Sequence, residues 1–280
     1  MGTLLPLFRS LMVICIALLA LGSNAHAQHA REYEPEVGQR GKDVIWVPTA
    51  QTLVDLMLDM AKVTSKDYLV DLGSGDGRTV ITAAKRGAKA LGIEYNADMV
   101  ELSRRKAAEE RVTGSATFVR GDIFTSDFSQ ATVVTMFLLP QLNVRLRPIL
   151  LNMKPGTRIV SNSFDMGDWR PDETAEARRN CTTYCQALLW IVPAKVGGSW
   201  QLPNGVLELK QTYQMFSGTL YSGNIVAPVM SSKLRGDDIV FTAGSTDYKA
   251  RVNGNVMEGM STAGGSQTVW RAARDRTRAN

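Results

Sequence analysis

Histidine is almost missing from this chain. Its 280 residues include two, His26 and His29, both near the amino terminus. A Ser-His-Asp triad or a His-ligated metal needs an imidazole inside the folded body, so neither chemistry has the residues it requires. Cysteine is sparse too, at three residues. That excludes a disulfide-dense scaffold, and no metal site is expected, because thiolates without partners do not make one. What remains is ordinary: 44% hydrophobic, 21% charged and 7% aromatic residues, which rules out a disordered or collagen-like chain. The net charge of +5 is concentrated at the end, where Arg271, Arg274, Arg276 and Arg278 face only Asp275. A nucleic-acid groove needs a concentrated basic face, so no nucleic-acid partner is expected.

Long apolar runs are lacking as well. The stretch Leu11 to Leu21 is about half of the roughly 20 residues that a membrane-spanning helix needs. It follows a single charge, Arg9, and precedes Ala25-His26-Ala27, with small residues where a signal peptidase inspects them. This is the layout of a secretory signal peptide. Residues 1–27 are therefore expected to be removed. The mature chain is expected to be exported, periplasmic or secreted, with no stable membrane span. Cys181 and Cys185 then remain, in a compartment that favours paired thiols. Their spacing can close a small loop or hairpin but cannot bridge along a straight helix, and the sequence leaves the pairing open.

Residues 28–46 form a polar lead that ends on Trp46. From Thr49 a helical pattern begins, with Leu53, Leu56, Met57, Met60 and Ala61 on one face and Thr49 or Thr52 as its cap. Strands are predicted at Tyr68–Asp71, Lys89–Glu94, Thr117–Arg120, Ala131–Phe137 and Thr157–Phe164. Helices are predicted at Thr79–Lys85, 97–111 and Leu142–Leu151. This alternation makes residues 47–193 an α/β domain, a Rossmann-like sheet with helices on both faces. Residues 165–180 read as a charged connection, and Ala187–Val192 as a strand. Residues 194–275 show no helical period and form a smaller antiparallel β-rich domain. Gly218, Gly236 and Gly254, equally spaced and each followed by a strand-like run, suggest a meander with one hairpin per repeat. Trp200, Phe216, Phe241 and Trp270 are its apolar anchors, and the domain is expected to lean on the strand at Ala187–Val192. Residues 276–280 are a tail.

The chemistry is concentrated in Asp71-Leu-Gly73-Ser74-Gly75-Asp76-Gly77-Arg78. A strand running into a glycine turn and then a helix brings bare backbone close to a ligand at the strand's carboxyl end. A dinucleotide site prefers Gly-x-Gly-x-x-Gly, with pyrophosphate on the helix end. Here Asp71 precedes the turn and Asp76 interrupts it. Two carboxylates repel a pyrophosphate and suit a zwitterion carrying an ammonium and a sulfonium. Glu94 ends the second strand, where an acid can take both hydroxyls of a ribose. Asp122 ends the third and can accept an adenine's exocyclic amine, with Tyr95 and Ile123 on either side of the ring.

On these residues the chain resembles the class I S-adenosylmethionine-dependent methyltransferases. It is most similar to the lysine methyltransferases related to the enzyme that modifies the c subunit of the ATP synthase. The likeness covers about residues 44 to 165. It is carried by Val47-Pro-Thr49, Met57-Leu-Asp-Met-Ala61, the turn from Asp71 to Arg78, Gly92-Ile-Glu94, Phe137-Leu-Leu-Pro140 and Lys154-Pro-Gly-Thr-Arg158. The resemblance implies S-adenosyl-L-methionine as cofactor, held by Asp71, Gly73, Ser74, Gly75, Asp76, Gly77, Glu94, Tyr95, Asp122 and Ile123. It also implies an acceptor entrance at Thr49, Phe137, Leu138, Leu139 and Pro140, for a protein lysine or a small molecule. The Asn-Pro-Pro-Tyr motif of amide and adenine methyltransferases is absent, which again argues against nucleic-acid bases. No residue stands out as a general base; Asp43 and Asp55, flanking the entrance helix, are the candidates.

The competing reading is an exported, non-catalytic binding protein that keeps a nucleoside pocket, since the methyl donor is made in the cytosol. A dinucleotide-dependent oxidoreductase is weaker, because the third glycine of its spacing is missing. The export reading predicts a mature chain beginning at Gln28 outside the cytoplasm, which amino-terminal sequencing of the native protein checks. An intact Met1 in a cytosolic fraction would overturn it.

Overall fold

Leu69 and Val70 adjoin in sequence and both are fully buried, which requires cover on the two faces of one strand. In the computed structural model, which describes residues 33–275, that strand is β1 (Tyr68–Leu72). Parallel to it on one side run β2 (Lys89–Glu94) and then β3 (Ala116–Arg120); on the other run β4 (Val133–Met136) and then β5 (Arg158–Asn162). Two further strands, β6 (Glu173–Glu176) and β7 (Gln186–Ile191), complete a seven-stranded sheet of order β3-β2-β1-β4-β5-β7-β6, in which β7 is antiparallel to both neighbours. The expected signal segment 1–27, His26, His29 and the 276–280 tail lie outside the described residues. The sheet, its helices and the second domain all belong to the unit that begins at Pro35.

Helices α1 (Gln51–Met60), α2 (Arg78–Lys85) and α3 (Ala97–Glu109) cover the face that carries Leu69, Ala90, Val133 and Val160. The opposite face, with Val70, Ile93, Val134 and Ile159, meets α4 (Pro140–Leu150) and the side chains of Phe128, Met166 and Trp169. Phe128 and Ala131 come from the β3–β4 connection, which fills that side without a helix. α1 is capped differently from expectation. Its cap residue is Ala50, with no side-chain cap bond, because Thr49 is buried and accepts from Asn162 Nδ2 at 3.2 Å. The charged connection 165–180 also contains β6, an edge strand almost fully exposed, so no hydrophobic alternation marks it.

The second domain is a closed barrel of eight strands, β8 (Gly198–Leu202), β9 (Gly205–Thr212), β10 (Met215–Ser222), β11 (Ile225–Arg235), β12 (Asp238–Ala243), β13 (Thr246–Asn253), β14 (Val256–Ala263) and β15 (Ser266–Arg274). It closes where Ala273 and Arg274 pair with Gln201 and Trp200. At this size side chains fill the interior, and here Trp200, Phe216, Phe241 and Trp270 do so with Leu207, Ile239 and Met257. Every hairpin turn has two residues, the length that matches strand twist. Gly236 and Gly254 occupy such turns as expected, with positive φ. Gly218 does not: it lies inside β10, where a Cβ would stand 2.0 Å from the Glu208 carbonyl. Its equal spacing with the turn glycines does not mark a repeat.

The barrel leans on the sheet at its β7–β6 end. Ala194 N–H donates to the Gly236 carbonyl at 2.8 Å, and Arg235 pairs with Glu173 at 2.5 Å. In the β9–β10 turn, Tyr213 stacks on Trp169 at 5.9 Å and donates to Asp168 at 3.0 Å. Removing this ring takes away both contacts. Tyr213→Ala is expected to lower the unfolding free energy by about 1–3 kcal/mol in a urea titration; an unchanged midpoint would show that the two domains are joined elsewhere.

Candidate functional site

Asp71 lies in the middle of the sheet and is 6% exposed. Its carboxylate accepts from the Thr135 hydroxyl at 2.6 Å. Burial raises its pKa to about 7, and the charges of Glu94 and Asp76 push the same way. Beyond β1 the chain turns through Gly73 and Gly75. A Cβ on Gly75 would meet Trp46 Nε1 at 2.8 Å, and one on Gly73 would meet Leu138 at 3.2 Å, so only glycine lets these walls close on the turn.

The turn spends its own donors. Gly73 and Ser74 N–H groups bond to the Ile93 carbonyl, Gly77 N–H to Ser74 O, and Gly75 N–H to Glu94 Oε2 at 2.9 Å. Ser103 Oγ donates to Gly75 O at 2.9 Å and locks the arrangement. With these amides committed, the turn does not offer the backbone cradle that a pyrophosphate needs. Ser74 Oγ, buried on the same wall, has no partner.

Asp76 behaves unlike Asp71. Burial pushes its pKa up, but Arg78 and Lys106 outweigh that and hold it below the usual carboxylate range. Arg78 donates to both oxygens, at 2.9 and 2.8 Å, and Lys106 Nζ lies 2.8 Å away. The expected pair of free carboxylates is thus one: Asp76 is neutralised by its neighbours, and Asp71 is not.

Above the turn a cavity of about 600 Å³ is lined by Asp71, Gly73, Ser74, Gly75, Asp76, Glu94, Tyr95, Asp122 and Ile123. Thr49, Phe137, Leu138 and Leu139 line it too. Two expected site residues lie off this surface. Gly77, at the start of α2, packs instead against Phe118 and Ser103. Pro140 is the first residue of α4, a position that suits a residue without an N–H. Of the candidate bases, Asp43 lines the cavity, whereas Asp55 is drawn into an ion pair with Arg86 at 2.9 Å.

The lead segment supplies a wall that the sequence did not suggest. Gly38 N–H donates to the Trp46 carbonyl, Trp46 N–H to that of Gln39 and Gly41 N–H to that of Val44, making a small hairpin that lines the cavity. Lys42 reaches Asp122 Oδ2 at 2.5 Å and lies 4.8 Å over the Tyr95 ring. Asp122 also accepts from Phe124 N–H at 2.9 Å; Lys42 first, then this amide, hold its pKa low. Phe164 and Tyr184 line the cavity too and were also unforeseen, although Tyr184 sits between the two cysteines. Those cysteines are joined: Cys181 and Cys185 form a disulfide.

A buried carboxylate of raised pKa, a second acid at the β2 end, a committed glycine turn and apolar walls at Met99, Ile123 and Leu138 together suit a cationic nucleoside rather than a phosphate anion. Comparison with known proteins agrees. A family described as the ANTKMT methyltransferase domain matches residues 71–173. A protein-lysine N-methyltransferase of Saccharolobus islandicus (strain REY15A) is 44% identical over 147 residues, 50% of this chain and 91% of that protein. The lysine N-methyltransferase of Rattus norvegicus that is named for the c subunit of the ATP synthase is 38% identical over 130 residues, 46% of this chain and 60% of its own length. Among solved structures, an RNA methyltransferase from Salinibacter ruber in complex with S-adenosyl-L-homocysteine is 45% identical, with a TM-score of 0.50, over 54% of this chain and 96% of that one. The chain therefore belongs to the class I S-adenosylmethionine-dependent methyltransferases, in the family of that protein-lysine N-methyltransferase, and S-adenosylmethionine is its cofactor.

Proposed function

We propose that this enzyme methylates a lysine side chain of a protein, and that it works outside the cytoplasm. The observation that carries the acceptor reading is the make-up of the cavity wall. Asp71 and Glu94 line it together with the mutually adjoining rings of Phe137, Phe164 and Tyr184. That is the wall an alkyl stem needs on its way to a reaction centre. Relatives named as protein-lysine methyltransferases support the same acceptor class. The Salinibacter relative is named as an RNA methyltransferase, so RNA is the alternative that the experiment must include.

S-adenosylmethionine supplies an electrophilic methyl group on a sulfonium. The chain's part is to hold donor and acceptor aligned, which accounts for much of the rate in such a displacement. Asp71 would take the cofactor's cationic amino-acid end, Glu94 the ribose hydroxyls through the lone pairs that the Gly75 and Asn96 amides leave, and Tyr95 and Ile123 the adenine faces. Asp122, paired here with Lys42, would accept from the adenine amine. The acceptor amine gives up its proton to solvent before it attacks, because only the neutral amine carries the lone pair that displaces the sulfonium.

Export is supported by the residue order from Arg9 to Ala27 and by the Cys181–Cys185 disulfide, a bond that persists in oxidising compartments. An enzyme placed there requires its donor to be delivered from the cytosol.

Calorimetry with S-adenosylhomocysteine, followed by mass spectrometry of lysine-containing proteins and of RNA incubated with enzyme and donor, tests the reading. Methyl on lysine is expected. Methyl on RNA alone would replace the acceptor, and no heat at high ligand concentration would remove the site. Glu94→Ala should weaken cofactor binding by about 1–3 kcal/mol through lost charge-assisted hydrogen bonds.

Asp71 gives a pH signature. Its folded value of about 7 lies above the roughly 3.9 of an unfolded aspartate, so between them the folded chain holds the extra proton. The carboxyl's stabilising contribution is present at acid pH and is lost as pH rises through 7. Asp71→Asn removes that slope. Thermal melts of cofactor-free protein should show the variant gaining on the parent from pH 5 to pH 8, while its affinity for S-adenosylhomocysteine falls. Parallel melting curves at both pH values would refute the assignment.

A further inference from the structure

Three aromatic side chains meet at the acceptor end of the cavity. Phe137 lies 6.0 Å from Phe164 and 5.3 Å from Tyr184, and Phe164 lies 5.6 Å from Tyr184, between ring centroids. All three line the cavity. Phe137 and Phe164 are half-buried, whereas Tyr184 is 44% exposed. Each comes from a different place. Phe137 follows β4, Phe164 follows β5, and Tyr184 stands in the loop between β6 and β7.

The third ring is held in an unusual way. Cys181 and Cys185 are bonded, with Cα atoms 5.8 Å apart, closing a loop of which Tyr184 is a member. Tyr184 has φ 56°, and Asn180, just before the loop, has φ 52°. Bulky residues seldom adopt this left-handed backbone, and it persists only where the surroundings impose it. The Asn180 carbonyl accepts from Thr52 Oγ1 at 3.5 Å, which ties the loop to α1. Ser163, immediately before Phe164, has φ 58°. Two of the three rings are thus aimed by backbone that a relaxed chain avoids.

Aromatic faces attract an alkylammonium within about 6 Å of a ring centroid, and more strongly when water is kept away. Lys42, Arg145, Arg147 and Arg274 sit over Tyr95, Phe124, Tyr213 and Trp200 instead. We propose that Phe137, Phe164 and Tyr184 form a collar that receives the alkylammonium side chain of the acceptor, and that the Cys181–Cys185 disulfide is what places Tyr184 in it. Tyr184 thereby sets specificity for a lysine over a neutral side chain of equal length. This inference rests on the protein-lysine reading above and adds to it the residues that select the acceptor.

The test uses full-length mature protein saturated with S-adenosylhomocysteine. The probes are Nα-acetyl-lysine methylamide and the matching norleucine compound, which has a similar stem and no charge. Binding is followed by ligand-observed NMR. The parent should bind the lysine probe at least tenfold more tightly than the norleucine probe. Tyr184→Ala should lose most of that preference and Tyr184→Phe should keep it, both with S-adenosylhomocysteine affinity within twofold of the parent, which also certifies that they fold. The double variant Cys181→Ser, Cys185→Ser should behave as Tyr184→Ala does. Lysine binding indifferent to Tyr184→Ala overturns the collar and leaves the lysine reading standing. A collar that works equally well in the double serine variant overturns the role of the disulfide. If the parent binds S-adenosylhomocysteine and neither probe, the lysine reading itself falls, and the collar with it.

Discussion

Asp71 carries the constraint on which the site depends: a carboxylate in the centre of a parallel sheet, with Thr135 as its hydrogen-bond donor. Burying an ionisable group without a counter-charge opposes folding, and the rise of its pKa to about 7 expresses that cost. Its surroundings are consistent with keeping it so. Asp76, a few residues on, is compensated by Arg78 and Lys106, and Glu94 spends both oxygens on the amides of Gly75 and Asn96. The same residue type in one turn thus meets opposite fates, set by which cations the neighbouring helices bring. A ligand that supplies positive charge beside Asp71 relieves a cost already present in the folded chain, and perturbed groups of this kind concentrate at functional sites.

The sheet and its turn were legible because their signals are local. Val70 and Leu72, Val133 and Val134, Ile159 and Val160 belong to short apolar runs bounded by turns, the pattern of strands buried on both faces, and the structure buries them so. The glycine turn was legible because few other uses explain three glycines around an acid at a strand end. The lead hairpin was not. Residues 36–46 are polar, lack a period and are placed by distant partners: Trp46 by Gly75, Lys42 by Asp122. β6 was missed for a related reason, since an edge strand exposed on both faces needs no alternation. Gly218 misled because glycine serves two ends. At Gly236 it permits a turn, and within β10 it makes room for the Glu208 carbonyl.

The disulfide connects two otherwise separate observations. Sequence spacing allowed Cys181 and Cys185 to close a loop without saying that they do. In the fold, the loop they close carries Tyr184, an exposed aromatic that lines the cavity together with Phe137 and Phe164. A covalent tie is well suited to such a loop. It joins the edge strand β6 to its neighbour β7 and is largely exposed, so apolar burial does little to fix its backbone.

The barrel stands in a different relation to the chemistry. Its interior is filled by Trp200, Phe216, Phe241 and Trp270 and their neighbours, which leaves its bulk to packing rather than to an enclosed ligand. Phe241 stacks on Tyr248 at 4.7 Å and meets Trp270 edge-on at 6.1 Å, so the centre is fixed by ring geometry as well as by area. Its attachment runs through Tyr213, Gln214 and Arg235 to Trp169, Arg170 and Glu173, that is, to β6 and the segment leading into it. The same edge of the sheet continues through the Cys181–Cys185 loop. The barrel thus adjoins the methyltransferase domain at the β6 end of its sheet, and none of the barrel's described residues lines the cavity.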